Sequence, residues 1–510
     1  MISRKRKAIF GFLANLGGTT FLQLLALIVT PLYLELTSQE LFGIWLTFGS
    51  IISWMSLSEM GIGMALTRKA ISALEKKDYI LLKKLINAAI ISFFMLGLVF
   101  VVIGSSLTNT LIRIFDIKEH LIGDFSVTYN LLLLVTLISQ TSSVFGAIIT
   151  AKQHIATVKV ISTSLAIFAI LINIVLLKYG FGIISFSISL LTTAIIAPII
   201  SIYYLKYIDS EIIFTPFTIS INEIKSLFKL GGLFQLLKVA NLVSTSTDNI
   251  IIASFLGVSF VSIYTFTSKL AFFFAVGVIS IIPVVLFPGL SQLFEIGNYS
   301  KIRKLYFSMV KISLRIGIMV GVFFYCVNEI FVDLWVGSIN FGGEKLSFIF
   351  VLWILIECFL RGITSIIYAS SKIKKLAFLS LFEASFNIIF TLIFVNEFGL
   401  VGVAFGTVLS RLVIMFPFVP YFINKILDVK NLSLIKNHII PTILYSLPSV
   451  LIVLILNPFL KQIFNPVIFI FLIGFITLIF NILFFEVPFL IRQKNKSFID
   501  RISLLKSQYS

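Results

Sequence analysis

Four cations, Lys238, Lys269, Arg361 and Arg411, sit inside long apolar runs of a 510-residue chain. At mid-membrane depth a charge costs about 2.5–3.5 kcal/mol on insertion scales, so such residues are kept only beside a water-filled cavity or a counter-charge. Polar side chains accompany them at helical spacing. Gln235, Lys238, Asn241, Thr245 and Asp248 follow at intervals of three or four and share one helix face. Glu357 and Arg361 stand at i, i+4, with Thr364 and Tyr368 continuing the row, and Glu383 and Asn387 repeat the spacing. The chemistry on offer is anion binding. A guanidinium can hold two oxygens of one anion, whereas an ammonium supplies a compact point charge. The carboxyls Glu59, Asp248, Glu357 and Glu383 form a second group, able to exchange a proton in a low-dielectric cleft and so to couple a movement to an ion. Simpler readings stand beside these: Glu357 and Arg361 as a closed pair on one helix, Asp248 as a fixed counter-charge, Glu59 as a helix-end contact, and Lys238 snorkelling to the headgroups.

The elements that carry these residues follow from composition. The chain is 59% hydrophobic and 12% charged, with a mean hydropathy of +1.09. Soluble proteins carry about 25% charged residues, so this is an all-α polytopic membrane protein. Apolar stretches long enough to cross a bilayer number fourteen: 9–36, 41–66, 85–107, 127–150, 156–177, 182–204, 230–256, 260–288, 305–332, 346–370, 376–395, 399–422, 437–457 and 466–488. The first follows Arg4–Lys7 and is too long for a signal-peptide core, so it is expected to stay as a span. Cys326 and Cys358 lie in apolar runs and His120, His154 and His438 are scattered, so neither a disulfide framework nor a metal site is expected. There is no P-loop and no nucleophile–base pair, so neither an enzyme nor a cofactor is expected.

Cytoplasmic loops are enriched in Lys and Arg. With the N-terminus inside, the inner loops and tails take 31 of the 40 basic residues, including Lys301 to Arg315 before and at the start of the ninth run. The outer loops hold five, Arg113, Lys118, Lys178, Lys345 and Lys461. The alternation predicts both termini on the cytoplasmic side. Topology and anionic headgroups then account for the net charge of +18 without a nucleic-acid partner.

Two halves of the chain resemble each other about 220 residues apart. Leu41-Phe42-Gly43-Ile44-Trp45 matches Phe260-Val261-Ser262-Ile263-Tyr264, and Asp78-Tyr79 with Lys83-Lys84-Leu85 matches Asn298-Tyr299 with Arg303-Lys304-Leu305. Units six spans apart share an orientation, which predicts two six-helix lobes related by a parallel pseudo-twofold repeat with a cleft between them. The lobes are 1–205 and 230–425. A cytoplasmic linker, 206–229, joins them, with a short interfacial helix expected on Ile221, Ile224, Leu227 and Phe228. Residues 426–510 add spans thirteen and fourteen and a basic tail.

The stretch from Phe42 to Tyr79 carries Phe-Gly-Ile-Trp, then Ser56-Leu57-Ser58-Glu59-Met60-Gly61-Ile62-Gly63, Leu66-Thr67-Arg68-Lys69 and Lys77-Asp78-Tyr79. It resembles the Wzx-type O-antigen and capsule repeat-unit flippases of the multidrug/oligosaccharidyl-lipid/polysaccharide exporter superfamily. The resemblance covers the whole chain in topology and is motif-specific there and at 260–305. It implies inversion of a polyprenyl-diphosphate-linked oligosaccharide across a bacterial inner membrane. Partners would be that lipid-linked oligosaccharide, membrane lipids, and the polysaccharide polymerase and chain-length proteins. Arg361 and Arg411 would then meet the diphosphate with Lys269 and Lys238 in support, and Gln235, Asn241 and Thr245 would meet sugar hydroxyls. Pro31, Pro283, Pro288, Pro417 and Pro420 remove backbone hydrogen bonds and mark hinges for an alternating-access cycle. A cation-coupled multidrug exporter is the first alternative, disfavoured by the excess of cleft cations. A lipid II flippase would be expected to place key cations in its first lobe, where this chain has none. A membrane glycosyltransferase or polymerase would show a larger outer loop or a soluble catalytic unit.

Overall fold

The computed structural model describes residues 4–209, 220–279, 281–370 and 372–483. Its described residues form eighteen α-helices, linked by short 3-10 and π-helical turns. The first ten are α1 (Arg4–Leu36), α2 (Gln39–Met55), α3 (Ile62–Glu75), α4 (Tyr79–Ser106), α5 (Thr108–Ile114), α6 (Ile122–Ala151), α7 (Ile155–Lys178), α8 (Ile184–Ile208), α9 (Ile221–Phe255) and α10 (Val258–Phe272). Then come α11 (Ile281–Glu295), α12 (Tyr299–Val336), α13 (Glu344–Ala369), α14 (Ile373–Ser410), α15 (Phe416–Leu427), α16 (Asn431–Leu434), α17 (Ile440–Ile463) and α18 (Pro466–Asn481). No strand occurs among the described residues, as expected of a chain whose backbone must satisfy its own hydrogen bonds in lipid.

Eleven of the described helical runs are long and apolar enough to cross a membrane. The expected runs 376–395 and 399–422 lie in one 54-residue stretch, Lys374–Leu427, broken where Gly399 adopts φ 55° and ψ −133°. The expected run 260–288 is divided between α10 and α11 by a π-helical turn, Phe273–Val278. α9 falls outside the eleven, and α18, with 16 residues, is apolar but shorter than any of the eleven.

The chain divides into two compact units. One holds Met1–Ile263 with Ser380–Val403, the other Tyr264–Leu379 with Ala404–Ser510. In the first, Ala65, Leu66, Ala70 and Ala73 of α3 are sealed against Leu85, Ala88, Ala89 and Phe93 of α4 and Val144 and Ile148 of α6. The alanines Ala65, Ala70, Ala73, Ala88 and Ala89 let these helices approach closely while Leu66, Leu85 and Phe93 fill the space between them. Leu227 belongs to the same core, and Ile224 and Phe228 pack on it. The segment expected as a separate interfacial helix is therefore the packed start of α9, which runs unbroken from Ile221 to Phe255.

In the second unit α12 carries Ser313, Gly317 and Gly321 on one ridge. A Cβ at Gly317 would stand 3.1 Å from Cys358 Cβ, one at Gly321 3.2 Å from Val351 Cγ1, and Gly362 faces Ser313 across the same seam. This small-residue contact brings α12 and α13 close together. Asn328 ties the pair to α10, donating to Thr267 O and Ser347 Oγ, both at 3.0 Å.

The two segments paired in the sequence start their helices with the same local geometry. Asp78 accepts from Leu81 N at 2.9 Å at the start of α4, and Asn298 accepts from Lys301 N at 3.1 Å at the start of α12. The residue before each is left-handed, Lys77 at φ 54° and Gly297 at φ 72°, and each cap N–H reaches back five residues, to Ala73 O and Leu293 O.

Candidate functional site

In the first unit the site begins with a tight turn. α2 ends in the 3-10 turn Ser56–Glu59, after which Met60 and Gly61 adopt φ 48° and 68° before α3 starts. Only glycine serves at position 61, because a Cβ there would collide with the backbone carbonyl of Gly231. A helix end leaves its last carbonyls without helical partners, and α9 supplies them. Gln235 Nε2 donates to Leu57 O at 2.6 Å, and Lys238 Nζ donates to Ser56 O at 2.7 Å. Lys238 also pairs with Glu59 Oε2 at 2.7 Å, the two side chains 31% and 28% exposed. From α6, Gln140 Nε2 braces the turn through Ser58 Oγ at 2.6 Å and Met55 O at 3.2 Å. Two residues expected to face a cleft thus hold the Glu59 turn. Asp248 and Glu383 are buried and engaged by neighbours. The side chains of Asn241 and Thr245 lie outside the described residues.

The second unit holds the denser cluster. Glu357 on α13 is 3% exposed at its side chain and accepts from two guanidiniums. Arg361 Nε donates to Oε1 at 2.5 Å from one turn along the same helix, and Arg411 Nη1 donates to Oε2. Arg361 is 31% exposed and Arg411 14%. Arg411 opens a π-helical turn, Arg411–Met415, leading into α15. Such turns insert a residue into the helical register and are frequent at functional sites. The pair read within one helix is therefore joined by a second guanidinium, placing two cations on one carboxylate.

Lys269, on α10 one turn before the other π-helical turn, is half-buried. Among the described residues it has no hydrogen bond or ion pair, unlike Lys238, Arg361 and Arg411. A further cation lies within a long, largely apolar helix. Arg315, assigned on sequence to the basic inner segment, lies sixteen residues into α12. Its Nε donates to Asn481 Oδ1 at 2.7 Å and its Nη2 to Asn481 O at 3.3 Å, tying α18 to α12. Among the described residues no three of His, Cys, Asp and Glu stand together to hold a metal ion.

Of the expected hinges, Pro31 lies inside α1 and Pro417 lies two residues beyond the π turn that Arg411 opens, with Pro420 one turn on. Pro283 and Pro288 fall in α11, their side chains outside the described residues.

A family model described as polysaccharide biosynthesis protein matches residues 34–339, more than half of the chain. No individually curated protein sequence matches it significantly. Among solved structures, the chain is similar to the lipid II flippase MurJ in an inward closed conformation, at 17% identity and a TM-score of 0.69, covering 92% of this chain and 98% of that one. An inward-facing multidrug resistance MATE family transporter of the MOP superfamily gives 16% identity and a TM-score of 0.63, covering 81% and 95%. A MOP superfamily transporter from Pyrococcus furiosus, reported to have a binding pocket of reversed polarity, gives 16% and 0.56, covering 84% and 97%. At such identities the likeness is one of fold. The chain is a multi-pass membrane protein of the MOP-superfamily transporter fold, and it belongs to the polysaccharide biosynthesis protein family.

Proposed function

We propose that the protein is a flippase that carries a polyprenyl-diphosphate-linked oligosaccharide repeat unit from the inner to the outer leaflet of a bacterial inner membrane, for O-antigen or capsular polysaccharide. The observation that carries this reading is the convergence of Arg361 and Arg411 on the two carboxylate oxygens of Glu357. Two guanidiniums aimed at one small anion are the arrangement that recognises a phosphate. Lys269 adds a positive charge in the same unit with no internal partner among the described residues. A diphosphate displaces Glu357 from the arginines, and Lys269 balances the second charge. Bends near Pro31 and Pro417 alternate access between the leaflets.

Lipid II transport, suggested by the likeness to MurJ, would use the same diphosphate chemistry. The family match favours the polysaccharide substrate. The cationic excess disfavours a pump for cationic drugs. In cells, Arg361→Ala or Arg411→Ala with membrane insertion intact stops surface polysaccharide appearing while the lipid-linked unit accumulates inside. Normal surface polysaccharide with all four cations replaced would overturn the proposal.

A further inference from the structure

α14 carries Phe378, Phe382, Phe386, Phe390, Phe394 and Phe398 at a strict spacing of four. At 1.5 Å per residue the row extends about 30 Å, the thickness of a bilayer's hydrocarbon core. From Phe382 to Phe398 the rings touch in series, with successive centroids 4.8, 5.6, 6.5 and 6.1 Å apart. Phe378 is 66% exposed and Phe382 and Phe398 are each 55% exposed, while the three between are half-buried. An i, i+4 row is an inclined ridge on a helix. A second row, Glu383, Asn387, Thr391 and Val395, lies one residue further on and is buried throughout. Both rows wind together, so an aromatic ridge runs beside a partly polar strip. At the N-terminal end of the ridge, the cytoplasmic end in the topology expected from the charge pattern, stand Lys372, Lys374 and Lys375, all exposed.

We infer that this ridge is the track for the polyprenyl chain of the lipid-linked substrate, with the three lysines receiving its diphosphate at the inner leaflet. The inference rests on the function proposed above. Its occupant is singled out by three features. Plain lipid contact is met by any apolar side chain and does not require phenylalanine at every fourth position. A phospholipid tail covers one leaflet, whereas the ridge, about 30 Å long, matches the thickness of both, as does a long polyprenyl chain. The lysines put positive charge where the anionic headgroup of that lipid starts. Unsaturated, methyl-bearing isoprene units present the C–H groups and double bonds that pack on ring faces.

The test uses the full-length protein in vesicles of phosphatidylethanolamine and phosphatidylglycerol doped with undecaprenyl diphosphate. Photo-reactive p-benzoylphenylalanine at positions 386, 390 and 394 is expected to capture undecaprenyl diphosphate well beyond its mole fraction. The same probe at exposed position 393 should capture phospholipid in proportion to abundance. Capture in proportion to abundance at all four positions overturns the inference. A second arm replaces Phe386, Phe390 and Phe394 together by Leu, which keeps the surface apolar. The ratio of undecaprenyl to farnesyl diphosphate translocation is expected to fall about tenfold, and an unchanged ratio overturns the inference. A wild-type protein that moves neither lipid contradicts the proposed function instead, while the capture arm still decides the ridge.

Discussion

Replacing Glu357 by Gln removes the carboxylate charge that Arg361 and Arg411 share while keeping the side chain's shape. With charge centres about 4 Å apart and an effective dielectric of about 20, each attraction is worth about 4 kcal/mol. Repulsion between the two guanidiniums and the cost of burying the carboxylate offset much of that sum. Removing one partner of a buried pair costs about 3–5 kcal/mol. Arg361 is about one-third exposed, so water screens its share, and the lower end, about 3 kcal/mol, is expected for Glu357→Gln. The assay is thermal unfolding of the purified protein in detergent, with and without inorganic pyrophosphate. In the variant the arginines no longer share that carboxylate, and pyrophosphate at about 100 times its Kd restores about 2.7 kcal/mol. In the wild type pyrophosphate must first displace Glu357, so it stabilises less. A variant as stable as the wild type, with the same pyrophosphate response, would refute the claim that Glu357 occupies an anion site.

Two further predictions concern the supports of the site. Gly61→Ala forces a Cβ onto a left-handed residue at φ 68° and into the Gly231 carbonyl; it should cost at least about 2 kcal/mol, read as a lowered unfolding temperature and membrane yield, and unchanged values would contradict the close approach of α3 and α9. Arg315→Met removes the charged hydrogen bonds to Asn481, worth about 1.5–3 kcal/mol; limited proteolysis should then cut faster between α17 and α18, and unaltered cleavage would show that Arg315 does not hold α18.

Much of this site is legible in the sequence because charge in an apolar run is conspicuous. Lys269, Arg361 and Arg411 stand out by composition alone, and the i, i+4 spacing of Glu357 and Arg361 foretells their pair. The third member, Arg411, lies 54 residues from its carboxylate partner, and no local pattern encodes that meeting. The same holds for Lys238 and Glu59, 179 residues apart. Arg315 escapes because Lys301 to Arg315 reads as a basic loop, whereas the first four turns of α12 form one helix with the apolar remainder. The π-helical turns at Phe273–Val278 and Arg411–Met415 depend on backbone hydrogen-bond register and leave no side-chain signature. The phenylalanine ridge, by contrast, is plain in the sequence at every fourth residue from Phe378 to Phe398, hidden only by the apolar residues around it.

The central claim is that the cationic cluster of the second unit grips the diphosphate of a lipid-linked oligosaccharide. Its most direct test is translocation of a fluorescent undecaprenyl-diphosphate oligosaccharide in proteoliposomes holding wild-type protein or a variant with Lys269, Arg361 and Arg411 each replaced by Met. The account predicts that wild-type vesicles expose the sugar on the far leaflet, and that the triple variant, folded and inserted, falls to the rate of protein-free vesicles. Translocation by the triple variant at the wild-type rate would contradict it.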